Sequence, residues 1–136
     1  MYYKVNLKMK NKKEEINLLN IQLITSLTLI IAISVSLLLT YNQKLDLQNK
    51  KTIFNKKQTH NISYTNRLII LITAIIFLII NYKLYQISKK EGEDLLVYYL
   101  QILASILTTI AALIVLYVVS IEPKGDEISD IENPVI

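Results

Sequence analysis

The sequence predicts an all-α protein, an integral membrane bundle of three transmembrane helices. Three long apolar runs without Asp, Glu, Lys or Arg support this prediction, at residues 21–41, 68–82 and 95–121. The two glycines and two prolines of the chain all fall outside these runs. Because backbone groups in lipid must be satisfied within the segment itself, helix is the structure expected for each run.

The first and third runs are long enough to cross a bilayer. A hydrocarbon core about 30 Å thick needs about 20 helical residues, since a helix rises about 1.5 Å per residue. The charge-free stretch around the first run extends from Ile16 to Gln43, which leaves room for tilt. We therefore predict transmembrane helix 1 at residues 21–41 and transmembrane helix 3 at residues 95–121.

The middle run is shorter. Its mainly apolar stretch, residues 68–80, lies between Arg67 and Lys83 and would alone reach only about 20 Å. Long basic side chains at such ends can lay their stems in lipid and keep their charge among the headgroups. We predict transmembrane helix 2 at residues 64–85. The alternative is two spans with a surface-lying or re-entrant middle segment.

The tyrosines support this placement. The chain has nine tyrosines and no tryptophan. Amphipathic aromatic rings gain most at the boundary between water and lipid, where they form belts. Seven of the nine stand at or near the ends of the predicted spans: Tyr41, Tyr64, Tyr82, Tyr85, Tyr98, Tyr99 and Tyr117.

Four polar segments surround the spans. They are a basic N-terminal segment (1–20), a polar basic loop (42–63), a charged loop (86–94) and a short acidic tail predicted to be disordered (122–136). Lys and Arg, which decide orientation, divide eight against seven between the two sides. We predict a cytoplasmic N-terminus and an external tail, with dual insertion as the alternative.

The net charge of +4 and the absence of cysteine limit the partners and cofactors. Basic segments beside a bilayer hold anionic lipid headgroups, at about 1 kcal/mol per Lys or Arg. We therefore predict the lipid bilayer and its anionic headgroups as partners, and no nucleic acid. Without cysteine there are no disulfides and no thiolate metal sites.

No catalytic pattern stands out. His60 is the only histidine, and it lies in the predicted polar loop without neighbouring ligands. The acidic residues Glu91, Glu93 and Asp94 could bind a cation, but Asp94 also precedes the third run, where Asp is a preferred N-cap. We predict no enzyme, no cofactor and no metal, with an enzyme that acts on lipid through these carboxylates as a distant alternative.

Small and polar residues recur at helical spacing inside the runs. Such stripes let helix backbones approach and exchange hydrogen bonds. In run three, Gln101, Ser105, Thr108 and Ala112 share one face, and Ala104, Thr108 and Ala112 repeat every fourth residue. Run one carries a comparable stripe, and we predict that both serve helix packing: Thr25, Thr28, Ala32 and Ser36.

These observations predict a small multi-pass membrane protein that acts by helix association, with itself or with a larger membrane partner. No Asp, Glu, Lys, Arg or His lies within the apolar cores of the three spans, residues 21–41, 68–80 and 95–121, which argues against a proton-coupled transporter. The alternative is an oligomeric pore. In outline the chain resembles a phage holin, but holins tend to end in a basic tail and this tail is acidic, so we do not carry that assignment over.

Overall fold

A computed structural model describes the backbone of residues 2–122 and the side chains of residues 8–122. This part of the chain forms three α-helices and no strand: α1 (Tyr2–Leu47), α2 (Lys56–Lys90) and α3 (Leu96–Ile121). The prediction of an all-α chain is confirmed. By length and composition, each helix is able to cross a membrane.

Helix α2 lies between the other two and runs antiparallel to both. It packs along α1 on one side and along α3 on the other, whereas no Cα atom of α1 comes within 8 Å of one in α3 in the described part of the chain. A small apolar cluster joins the three helices near their middle, formed by Ala32, Ile70, Leu71, Ala74 and Ala112. The flanking helices are therefore held together by α2.

The buried positions of each helix repeat every seven residues. A repeat of seven keeps one seam of a helix facing its neighbour and is typical of left-handed helix packing. In α1 the seam is Asn11, Leu18, Thr25, Ala32 and Leu39, and in α3 it is Ser105, Ala112 and Val119. The small side chains in these seams let the backbones approach closely.

Two amides of α2 bind its neighbours. The Asn66 side chain, which is buried, donates to the hydroxyl of Ser36 at 2.9 Å and to the backbone oxygen of Ala32 at 3.0 Å. On the other side of α2, the Asn81 amide donates to the hydroxyl of Ser105. Each flanking helix is thus joined to α2 by a side-chain hydrogen bond as well as by apolar packing.

The helices extend beyond the predicted spans, so the connections are short. Helix α1 continues to Leu47 and α2 begins at Lys56, which leaves residues 48–55 of the predicted 42–63 loop as the connection. The apolar runs end where charge begins, but charged and amide side chains continue a helix readily outside lipid. The predicted acidic tail lies, after Glu122, outside the described residues.

A capping box begins α2. The Asn55 side chain accepts from the backbone N–H of Gln58 at 2.8 Å, and the Gln58 side chain accepts from the backbone N–H of Asn55 at 3.0 Å. At the other end Gly92, with φ of 72°, stops the helix in the left-handed conformation. The chain then turns into α3.

Tyrosines mark the two ends of the bundle. Near the α2–α3 connection, the ring of Tyr85 lies 6.2 Å from that of Tyr82 and 5.1 Å from that of Tyr99. At the opposite end the rings of Tyr41, Tyr64 and Tyr117 are exposed. Along α2, the separation of 18 positions between Tyr64 and Tyr82 corresponds to about 27 Å, close to the thickness of a hydrocarbon core.

Candidate functional site

A cavity of about 370 Å³ lies where the C-terminal ends of α1 and α3 meet the first turns of α2. All three helices and the α1–α2 connection contribute to its wall. A volume of this size is within the range of small-ligand sites. We call it the end cavity. Its lining is Leu39, Asn42, Gln43, Asp46, Thr52, Phe54, Asn55, Lys56, Thr59, His60, Ser63, Arg67, Val115, Val118, Val119 and Glu122.

Asn42 holds the connection over the end cavity. Its side-chain oxygen accepts from the backbone N–H groups of Ile53 and Phe54, at 2.8 and 2.9 Å. Its side-chain nitrogen donates to the Phe54 oxygen and to the Thr59 hydroxyl, both at 3.3 Å. Asn42 is only 4% exposed, so the donor and acceptor capacity of this amide is used inside the protein.

Two buried basic side chains line the end cavity from α2. His60 is 5% exposed and Arg67 is 3% exposed. The Nδ1 atom of His60 is buried and has no hydrogen-bond partner among the described residues. A buried polar atom without a partner is costly, so this nitrogen is able to bind a ligand that enters the cavity.

The placement of His60 in a polar loop is wrong, because α2 begins at Lys56 and carries it within the helix. The interpretation of Arg67 as a basic end that reaches out through lipid also needs correction. Its side chain is buried between the helices and faces the end cavity. The reason is its position on the side of α2 that packs against α3, seven residues before the buried Ala74.

The remaining charges of the end cavity lie nearer its opening. Lys56 and Asp46 are exposed and Glu122 is half-buried. One wall is apolar and comes from α3, through the side chains of Val115, Val118 and Val119. The cavity thus combines a basic interior, a valine wall and carboxylates at its mouth, an arrangement suited to an amphipathic molecule.

The structure divides the predicted packing residues into an inner and an outer group. The buried ones lie in the helix interfaces: Thr25, Ala32, Ser36, Ser105 and Ala112. Thr28 is half-buried and lines a shallow groove between α1 and α2. The others are exposed on α3, beside the buried seam: Gln101, Ala104 and Thr108. The predicted stripe of α3 therefore has a buried edge and an exposed edge.

The three acidic residues beside the second connection each accept a hydrogen bond. Glu91 accepts from the Asn11 side chain at 3.4 Å, and Glu93 accepts from the Tyr98 hydroxyl at 3.4 Å. Asp94 accepts from the backbone N–H of Leu96 at 3.1 Å, although the N-cap position itself is Leu95. The described residues contain no group of three or more His, Asp or Glu side chains that could hold a metal ion.

The end cavity was not predicted from the sequence, although the spacing of its two buried basic residues indicates it. His60, Arg67, Ala74, Asn81 and Ser88 follow one another at intervals of seven. That spacing places the two basic residues on the same face as the small and polar residues that pack against α3. A basic residue in such a series is expected to face the protein interior.

Comparisons of this chain with protein-family models, with curated proteins and with solved structures find no match.

Proposed function

We propose that this protein is a multi-pass integral membrane component that acts by helix association, either with itself or with a larger membrane protein. The proposal is carried by one observation. The outward face of α3, which we define as Gln101, Ala104 and Thr108, consists of small or polar side chains and is not used by the three-helix bundle.

The composition of the outward face differs from that of its surroundings. Next to it on α3, large apolar side chains such as Leu100, Leu103 and Leu107 are more than half exposed, as expected for a surface in contact with lipid. The Ala104–Thr108 pair has the spacing that allows two helix backbones to approach. A close approach gains packing that lipid chains do not provide.

Gln101 adds a polar contact to this face. Its side-chain amide forms no hydrogen bond within the described part of the chain. It lies about 9 Å along the helix from Leu95, inside the charge-free run. A partner helix would supply the donors and acceptors that lipid chains lack, and such bonds contribute about 0.6 kcal/mol each.

A pore formed by an oligomer is the rival function and has less support. The polar side chains between the helices are already engaged, as with Asn66 and Asn81. The hydroxyl of Thr108 donates to the Ala104 oxygen at 2.8 Å, so it does not require water. A water-filled path would therefore have to form between molecules.

The test compares substitutions on the outward face with a matched change on another helix. Ala104→Leu and Thr108→Leu add bulk to the outward face, and Ser34→Leu adds bulk at an exposed position of α1. The measurement is the association of the full chain in liposomes, by single-molecule photobleaching and by co-purification from membranes. Dye leakage from the same liposomes is recorded in parallel.

We expect the two α3 variants to lose association, or to lose a co-purifying membrane protein, while Ser34→Leu retains it. Liposomes containing the wild-type chain should stay tight. Association that is unchanged in all three variants would overturn the proposal. Strong leakage that disappears in the α3 variants would replace association with a pore.

A further inference from the structure

The end cavity lies at the height where phospholipid headgroups are expected. Tyr64, whose ring is exposed, stands between His60 and Arg67 in the sequence of α2. The mainly apolar stretch of α2 begins at Leu68, directly after Arg67. Because tyrosine rings favour the boundary between lipid and water, the cavity is placed at that boundary in a membrane.

The interior of the cavity suits a phosphate group. His60 Nδ1 is buried without a partner among the described residues, and it lines the same cavity as the guanidinium of Arg67. Hydrogen bonds from basic side chains to phosphate oxygens are charge-assisted, and they are strongest where water is excluded. The seven-residue spacing of the two residues places both on one side of α2.

The valine wall and the helix arrangement suit an acyl chain. Val115 and Val118 line the cavity from α3, while α1 and α3 stay apart on either side of α2. The inner part of the cavity therefore has an apolar wall on the α3 side. An apolar chain attached to a phosphate in the cavity would lie against these valines.

The charges of the lining balance. Arg67 and Lys56 carry positive charge, and Asp46 and Glu122 carry negative charge, with His60 as the remaining ionisable group. A zwitterionic headgroup, with an anionic phosphate and a cationic ammonium, complements such a site better than a headgroup that carries only negative charge. The exposed Asp46 lies at the opening, where an ammonium group would be.

We propose that the end cavity binds one zwitterionic phospholipid, with its phosphate at His60 and Arg67, its ammonium toward Asp46 and an acyl chain against Val115 and Val118. This site is distinct from the outward face of α3. It depends on the membrane location but not on the association proposed above, and binding can be measured on a single chain in detergent.

The experiment uses the full chain, purified in detergent and freed of co-purified lipid. Native mass spectrometry measures binding of phosphatidylethanolamine, with phosphatidylglycerol as the anionic lipid and phosphoethanolamine as the soluble headgroup. His60→Leu removes the unpartnered nitrogen. Asn61→Leu, at the exposed neighbouring position, is the matched control. Val115→Phe fills the apolar wall without changing charge, and the exposed Val97→Phe is the matched control.

We expect one phosphatidylethanolamine per chain and binding weaker by about tenfold or more in His60→Leu and in Val115→Phe, since each removes a principal contact. The two control variants should bind as the wild type does. If His60→Leu does not fold, Val115→Phe still decides the question. Equal binding in Val115→Phe and Val97→Phe would overturn the proposal, and so would equal affinity for phosphatidylglycerol or for phosphoethanolamine.

Discussion

Asn66 donates its side-chain amide to the hydroxyl of Ser36 at 2.9 Å, between two side chains that are 3% and 0% exposed. The same amide donates to the backbone oxygen of Ala32 at 3.0 Å. Because both partners belong to α1, the single side chain of Asn66 fixes the register of α2 against α1. The close approach that it requires is possible because Ser36 and Ala32 are small.

The Asn66–Ser36 bond should be measurable as a coupling between the two positions. We expect Asn66→Ala to lower the free energy of unfolding by about 1–2 kcal/mol and Ser36→Ala by about 0.6 kcal/mol. The double variant should lose less unfolding free energy than the two single variants together, because both substitutions remove the same bond. Reversible unfolding in mixed micelles gives the values.

Ser34→Ala is the control for this cycle, since Ser34 is exposed and its hydroxyl donates to Ile30 of its own helix at 2.9 Å. It should leave stability nearly unchanged and add independently to Asn66→Ala. Strict additivity of Asn66→Ala and Ser36→Ala would contradict the coupling.

Asn42 should control access to the α1–α2 connection. Asn42→Ala removes the side chain that binds Ile53, Phe54 and Thr59, so the connection should open more often. If the free energy of opening falls by about 1–2 kcal/mol, cleavage that follows opening should be about 5–30 times faster. Trypsin digestion at Lys50 and Lys51 measures this rate, and Gln48→Ala, at an exposed position, should digest at the wild-type rate.

Gly92 should be sensitive to substitution for a backbone reason alone. Its φ is 72°, and a Cβ atom at this position would meet no heavy atom within 4 Å. Gly92→Ala should therefore lower stability by about 1 kcal/mol, through left-handed backbone strain and not through a clash. Gly92→Asn should cost less, because Asn tolerates this conformation. Equal unfolding midpoints for Gly92→Ala and the wild type would refute this reasoning.

Substitution by Leu should lower the stability of the chain at Ala112 but not at Ala104. Ala112 is 3% exposed and packs against α2, so Ala112→Leu should overpack the interface and lower stability by about 1–3 kcal/mol. Ala104 is exposed, so Ala104→Leu should leave the unfolding free energy of the single chain unchanged. Unfolding of both variants in detergent is the measurement. A larger loss of unfolding free energy for Ala104→Leu than for Ala112→Leu would show that α3 packs through the face that carries Ala104.

The orientation of the chain remains a prediction with the N-terminus in the cytoplasm. Reporter fusions after Lys13, within residues 50–57, at Lys90 and after Glu132 should alternate between cytoplasmic and external signals, starting with a cytoplasmic one. The reverse pattern would invert the assignment. Equal signals on both sides at every position would indicate dual insertion, because the Lys and Arg counts of the two sides are nearly equal.

Much of the architecture follows from the sequence alone. Charge-free apolar runs of this length have few stable structures other than helix, and the glycines and prolines lie outside them. The number of helices, their approximate ranges and the placement of the tyrosines near the helix ends could therefore be predicted. The ends of the helices could not, because a run of apolar residues stops at the first charge, whereas the helix begins at a cap such as Asn55 and ends near a residue such as Gly92.

The tertiary structure decided which side of each helix faces a neighbour. The α3 stripe reads as one face in the sequence, yet Ser105 and Ala112 pack against α2 while Gln101 and Thr108 are exposed. The spacing of four and three residues defines a broad band, and only the position of α2 determines which edge of that band is buried.

The end cavity likewise depends on the packing of three helices. The seven-residue spacing of His60 and Arg67 places them on one face of α2, but their exposure depends on how α1 and α3 flank α2. Local composition determines whether a side chain is compatible with lipid or with water. Its burial in a shared cavity is a property of the assembled bundle, since the walls come from residues that are distant in the sequence.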